Sequence, residues 1–397
     1  MKSLRQLYKI GSGPSSSHTM GPERACLYFL GKTPEADAYT VILYGSLALT
    51  GKGHRTDAAI RKALDGFPVE IVWNTEATDL PHENTMDLYA YKDGAEIAHS
   101  RVCSIGGGDI RIEGCPQEDP PEVYPERNFR EVELYCNARN MRLSDYVYEK
   151  EGEDIRAFLY EIWQVMKDEV SEGLSTTGTL PGGLGVQRVA HILYTRRHID
   201  ERPETKENRM VCAYAFAAAE QNADCGTIVT APTCGACAVV PAVLKYMQEK
   251  KGFSDEKIID ALAVGGLIGN IVKQNASISG AECGCQAEIG TACAMASAAL
   301  CELFEMGIDQ IEYAAEMSLE HMLGLTCDPV CGLVQIPCIE RNAVAAMRAL
   351  NALSLANFLT GTRKISFDMV VSTMYETGKD INARYRETAE GGLAKLF

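Results

Sequence analysis

Over the first hundred positions apolar residues cluster in short β-branched and aromatic runs. From about residue 131 onward they recur at helical spacing. Residues 39–50 and 69–75 read as strands on either side of a helix-like stretch at 56–65, and two more short strands are predicted at 87–92 and 96–104. This β-α-β rhythm predicts a small α/β domain with a mixed sheet over residues 1–113. Gly114 to Pro125 is rich in proline and acidic residues and reads as an extended linker, so 114–130 is assigned to the connection. Helices are predicted at 144–150, 153–172, 185–199, 208–222, 236–250, 255–273, 288–305, 308–322 and 340–359. The fold class is therefore α+β, with residues 131–397 forming a larger, nearly all-α domain.

The longest apolar run, Ile258 to Val272, is interrupted by Asp260 and Asn270 and is shorter than the ~20 residues of a membrane helix, so it reads as a buried helix. Composition changes the picture in two respects. A net charge of −16 with no Lys/Arg cluster argues against a nucleic-acid partner. Fifteen cysteines would suggest disulfides in a small secreted domain, but the charged start Met1-Lys2-Ser3-Leu4-Arg5 is no secretory signal. In a long chain expected in the cytoplasm, that abundance points to metal or reactive thiols.

Three cysteines lie among small residues and turn breakers: Cys285 in Gly284-Cys285-Gln286-Ala287-Glu288, Cys327 in Thr326-Cys327-Asp328-Pro329, and Cys338 in Pro337-Cys338-Ile339-Glu340. Thiolates select zinc, copper(I) or iron–sulfur clusters, and three of them suggest a cluster with one iron left open. Spacing alone leaves alternatives. Cys234 and Cys237 form a C-x-x-C pair, Cys283 and Cys285 a C-x-C pair, and Cys327 and Cys331 a C-x-x-x-C pair, so a zinc site, a redox dithiol or plain core packing also fits.

Near the start, Gly13-Pro14-Ser15-Ser16-Ser17-His18-Thr19 gathers hydroxyls and a histidine in a turn before a helix, an arrangement suited to a carboxylate or phosphate. A Ser/Thr cap with a packed histidine is the plainer reading. Gly51-Lys52-Gly53-His54 reads as a tight turn directly after the first strand, projecting His54 from the end of the sheet, where a general base or an ordinary surface turn belongs. Lys273 sits at a helix end that runs into the first cysteine motif, either reaching toward substrate or complementing the helix dipole.

Taken together these segments resemble the bacterial iron–sulfur-dependent L-serine dehydratases. The matching strings run through nearly the whole chain: 13–19, Gly-Ser-Leu-Ala-Leu-Thr-Gly-Lys-Gly-His at 45–54, Ser-Ile-Gly-Gly-Gly at 104–108, 275–282, 284–288, 327–330, 334–342 and 385–388. The resemblance implies a β-type domain followed by an α-type domain, with a [4Fe–4S] cluster on Cys285, Cys327 and Cys338. It further implies an active site between the domains, with His54 and His18 as catalytic histidines and Ser15, Ser16, Ser17, Thr19 and Lys273 at the substrate. The reaction implied is elimination from L-serine to pyruvate and ammonia. A homodimer is expected as the commonest assembly, and charge and apolar-run length predict no nucleic-acid or membrane partner. L-threonine or L-cysteine as substrate, a non-catalytic amino-acid sensor and a zinc-stabilised structural protein are the rivals.

The chain departs from the family in three ways. It ends Gly391-Gly392-Leu393-Ala394-Lys395-Leu396-Phe397, so the C-terminal cysteine that plugs the fourth iron in some members is expected to be missing. Cys234 stands where asparagine is common and Cys283 is unusual, and the first domain is shorter than in many members.

Overall fold

The computed structural model describes residues 1–115, 120–197, 201–359, 361, 363–387 and 391–396. Part of the expected linker (116–119), the end of the helix expected at 185–199 and Thr388 of the last matching string lie outside the described residues. The chain divides into two compact units: Gly11–Asp119 with Asp224–Gly226, and Met1–Ile10 with Pro120–Ala223 and Thr227–Phe397.

After a short strand Ile10–Ser12 (β1), the smaller unit runs through Gly21–Lys32 (α1), Ala38–Tyr44 (β2), Gly45–Thr50 (α2), Thr56–Ala63 (α3), Val69–Asn74 (β3), Thr85–Lys92 (β4), Ala95–Gly106 (β5) and Asp109–Ile112 (β6). Its sheet has the order β3-β2-β4-β5-β6, with β2 and β3 parallel and the other pairs antiparallel. The parallel pair needs a crossover, which α2 and α3 supply. The β4–β5 hairpin closes on Asp93 and Gly94, both with positive φ, the turn whose twist suits flanking strands. Alternate β2 residues Tyr39, Val41 and Leu43 point into a core shared with Phe29, Ile60 and Leu64.

One expectation for this unit needs correction. The strand predicted at 39–50 stops at Tyr44, and Gly45-Ser46-Leu47-Ala48-Leu49-Thr50 is helical. Gly45 has φ +52°, and a Cβ there would lie 2.4 Å from the Glu83 carbonyl oxygen. The sheet therefore ends where only glycine fits, and the His54 turn follows a helix rather than a strand.

The larger unit contains Phe129–Arg139 (α4), Leu143–Glu151 (α5), Asp154–Ser175 (α6), Ala190–Thr195 (α7), Pro203–Ala223 (α8), the short strand Thr227–Val229 (β7), Val239–Lys251 (α9), Asp255–Asn275 (α10), Gly280–Cys283 (α11), Thr291–Leu303 (α12), Ile308–Glu320 (α13), Cys338–Phe358 (α14) and Phe367–Asp380 (α15). Helix α10 is buried from Ile258 to Val272 apart from Asp260 and packs along α12, which is buried throughout. No helix among the described residues is long and apolar enough to cross a membrane. Leu4, Leu7 and Tyr8 are buried, and the Tyr8 hydroxyl donates to the Leu262 carbonyl at 2.9 Å, which fixes the first ten residues to this unit. Within the expected linker, Tyr124 is fully buried and donates to Glu151 at 2.8 Å, so this part of the connection is anchored.

Helices α6 and α8 approach closely at Gly173, where a Cβ would lie 2.2 Å from the Ala217 carbonyl oxygen. Backbone cannot yield there as a flexible side chain would. Gly173→Ala is expected to cost about 1–3 kcal/mol by overpacking, read as a lower urea midpoint with unchanged slope.

Candidate active site

In the larger unit three thiols come from separate chain segments. Cys285 follows α11 and precedes a π-helical turn, Gln286–Gly290, that feeds α12. Cys327 lies in the loop after α13, where its N–H donates to the Tyr385 carbonyl and its carbonyl accepts from Glu387 N–H, both at 2.8 Å. Cys338 opens α14, after Pro337. All three are buried, and the Cys285 and Cys327 sulfurs lie within 4.8 Å of each other and of a Glu288 carboxylate oxygen. The Cys327 thiol is pushed well up by its hydrogen bond with Cys285 and by burial, and that of Cys338 by burial and the neighbouring Cys285. Charged thiolates here therefore need a compensating positive partner.

Arg341 stands beside Cys285 and Cys338, held by the Thr326 carbonyl at 2.6 Å and by Asp328 at 3.1 Å. Glu288, which the sequence reading quoted but gave no role, accepts from the Thr233 hydroxyl at 2.6 Å. Its place was legible as one helical turn beyond Cys285. A Cβ on Gly280 would lie 2.6 Å from Glu288 Oε2 and 3.1 Å from Cys327 Sγ, so glycine is what lets the backbone approach both donors this closely. Soft thiolates and a nearby guanidinium fit an iron–sulfur group.

The other cysteines are arranged differently. Cys234 and Cys237 are buried in a short turn before α9, the Cys283 sulfur packs where a Gly378 side chain would be, and Cys331 is exposed. Among the described residues, Cys285, Glu288 and Cys327 form the one group of three or more potential ligands within such reach.

In the smaller unit Ser16–Met20 forms a π-helical turn capped by Ser15, whose hydroxyl accepts from His18 N–H at 3.2 Å. The Thr19 hydroxyl is committed within the turn. It accepts from Ser15 N–H at 3.0 Å and reaches the Ser12 and Ser15 carbonyls. Ser15 and Ser17 hydroxyls are 3.3 Å apart. His18 and His54 stack with ring centroids 4.5 Å apart.

Each nitrogen of the pair has a distinct environment. His54 Nδ1 is 3.1 Å from the Thr50 carbonyl, which only accepts, so Nδ1 carries the proton and Nε2 bears the lone pair. That Nε2 is buried with no hydrogen-bond partner among the described residues. Burial lowers the pKa of His54 below its ordinary 6.5, and burial together with the His54 charge lowers that of His18 further. Lys273, at the end of α10, donates to the Gln6 carbonyl at 2.8 Å.

A family model described as the serine dehydratase alpha chain matches residues 74–394, and one described as the serine dehydratase beta chain matches 3–76. The chain belongs to the serine dehydratase family. Among its relatives, L-serine dehydratase 1 of Escherichia coli K12 is 41% identical over 99% of both chains. L-serine dehydratase 2 of the same organism is 40% identical over 99% of this chain and 98% of its own, and L-serine dehydratase of Haemophilus influenzae is 38% identical over 99% of each. The junction of the two serine dehydratase family parts falls at the end of β3, so the five-stranded sheet draws β2 and β3 from one part and β4 to β6 from the other.

Proposed function

We propose that this chain is an L-serine dehydratase, with His54 Nε2 as the base that takes the α-proton and with Cys285, Cys327 and Cys338 as thiolate ligands of a [4Fe–4S] cluster. The observation that carries the reading is the end-to-end similarity to L-serine dehydratases in a chain where the buried Cys285 and Cys327 sulfurs come within 4.8 Å of each other and the buried Cys338 neighbours Cys285. When bound, a cluster held by three thiolates supplies a Lewis-acidic iron that eases departure of hydroxide, a poor leaving group.

The chain's own residues handle the proton and the orientation. His54 presents an unprotonated, desolvated Nε2, fixed in tautomer by the Thr50 carbonyl. Ser15, Ser16 and Ser17 hold the substrate carboxylate through turn amides and hydroxyls, Thr19 pins that turn, and His18 backs the base. Loss of the α-proton and hydroxide from L-serine gives aminoacrylate, which tautomerises to the imine. Hydrolysis of the imine gives pyruvate and ammonia, so the water lost is returned.

The deciding experiment is pyruvate release from L-serine by anaerobically purified protein, with iron and sulfide measured on the same sample. Turnover with about four irons per chain supports the reading. A full cluster without pyruvate, or faster turnover of L-threonine or L-cysteine, overturns the substrate assignment.

Acidity provides a second check. Because the folded His54 titrates below 6.5, kcat/KM is expected to rise along an acid limb with its midpoint below 6.5 and to be level through neutrality. A midpoint at or above 6.5 would contradict a sheltered base. Stability follows the same sign. The unfolded histidine protonates at its ordinary pKa while the folded ring stays neutral, so this contribution is intact above 6.5 and is lost as pH falls toward the folded value.

A further inference from the structure

We infer that Thr50 is the positioning residue of the histidine pair, setting both rings through its two oxygens, an inference that rests on His54 acting as the base. A threonine in the last turn of a helix ordinarily spends its hydroxyl on the carbonyl four residues back. Thr50 does this, donating to the Ser46 carbonyl at 2.9 Å. With its hydrogen committed, Thr50 Oγ1 faces His18 Nε2, 3.0 Å away, as an acceptor.

His18 Nε2 therefore carries a proton, shared with Ser46 Oγ at 3.0 Å, and Nδ1 accepts from the Ser17 hydroxyl at 2.9 Å. Both nitrogens of His18 are engaged, so this ring stands as a fixed support against the face of His54. The second oxygen of Thr50, its carbonyl, takes the His54 Nδ1 proton. That carbonyl is held by its surroundings. A Cβ on the next residue, Gly51, would lie 2.2 Å from the Leu47 carbonyl oxygen and 2.9 Å from Thr56 Oγ1, and Thr56 itself donates to the His18 carbonyl at 2.6 Å. One threonine thus links a neutral support ring to a base whose lone pair sits on Nε2 alone.

The test uses the full-length, anaerobically reconstituted enzyme at matched iron content, with Thr50→Val, Thr50→Ser and His54→Ala compared on L-serine and on L-serine deuterated at the α-carbon. Thr50→Val removes only the hydroxyl. It is expected to lower kcat by roughly tenfold, to leave KM within about twofold, and to enlarge the primary isotope effect as proton abstraction becomes limiting. Thr50→Ser restores the hydroxyl and is expected to restore kcat and the parental isotope effect. A kcat and isotope effect unchanged in the valine variant, or a serine variant as impaired as the valine one, overturns the inference.

If His54→Ala is inactive while Thr50→Val is normal, only the role of Thr50 falls. If His54→Ala turns over normally, the base assignment falls as well. Should the valine variant fail to fold, histidine side-chain nitrogen NMR of the parent protein decides. His18 protonated at Nε2 together with His54 protonated at Nδ1 supports the inference, and His18 protonated at Nδ1 overturns it.

Discussion

Cys338→Ala is expected to abolish the visible absorbance of the anaerobically reconstituted protein and to lower bound iron from about four atoms per chain to near none. Cys338 opens α14, and alanine is the best helix former, so the helix start survives the exchange and the lost thiolate is what the measurement reads. The neighbours sharpen the expectation. Arg341 beside Cys285 and Cys338 favours the charged thiolates, and with one of them gone its charge no longer has a full complement. Cys234→Ala and Cys283→Ala serve as controls and are expected to keep the band, since Cys234 is buried in the turn before α9 and the Cys283 sulfur packs against Gly378. Retention of the band in Cys338→Ala would remove it from the ligand set.

The second large effect is at His54. His54→Ala is expected to reduce kcat by about 10²- to 10⁴-fold while iron and sulfide content stay at the parental level. The physical reason is the unpartnered Nε2. Burying an imidazole lone pair without a hydrogen bond is unfavourable, and the fold keeps it so at 3% exposure while the Thr50 carbonyl occupies the opposite nitrogen. A structural histidine in such a place would be expected to have both nitrogens satisfied, as His18 does. Near-normal turnover would dismiss His54 as the base, whereas a parallel loss of iron would turn its role into a structural one.

Much of the architecture was legible in the periodicity. The mixed sheet followed by helices was predicted, and α10 and α14 begin within two residues of their expected starts. Besides the short α2 and α11, two longer helices escaped prediction. The α4 sequence Phe129-Arg130-Glu131-Val132-Glu133-Leu134 is dense in charge, with three charged residues interleaved among its three apolar ones. The α15 helix starts at Phe367 under a Ser366 cap, and neither its cap nor its apolar stripe was picked out. Gly45 misled the reading differently, because the run through Thr50 remains apolar and only the Glu83 carbonyl shows why the strand must stop.

The site was legible in part. Spacing left the cysteines open between several chemistries, and the long family strings singled out Cys285, Cys327 and Cys338. Glu288 sits in one of those strings without a role, because its significance arises from Thr233, far away in sequence. Thr50 was readable in principle, since a carbonyl and a side chain four residues apart meet on a helical turn, but its second link, to His18, spans thirty-two residues.

The five-stranded sheet carries a consequence for how the gene can be divided. If the two parts were made as separate polypeptides cut near residues 74–76, β2 would lose its antiparallel partner β4 to the other product. Each product would then carry an open, hydrogen-bonding strand edge, a template for aggregation when alone. The Ala38–Lys92 ladder would have to form between subunits, making co-synthesis of the two halves a condition of solubility, whereas the fused chain closes that ladder within itself.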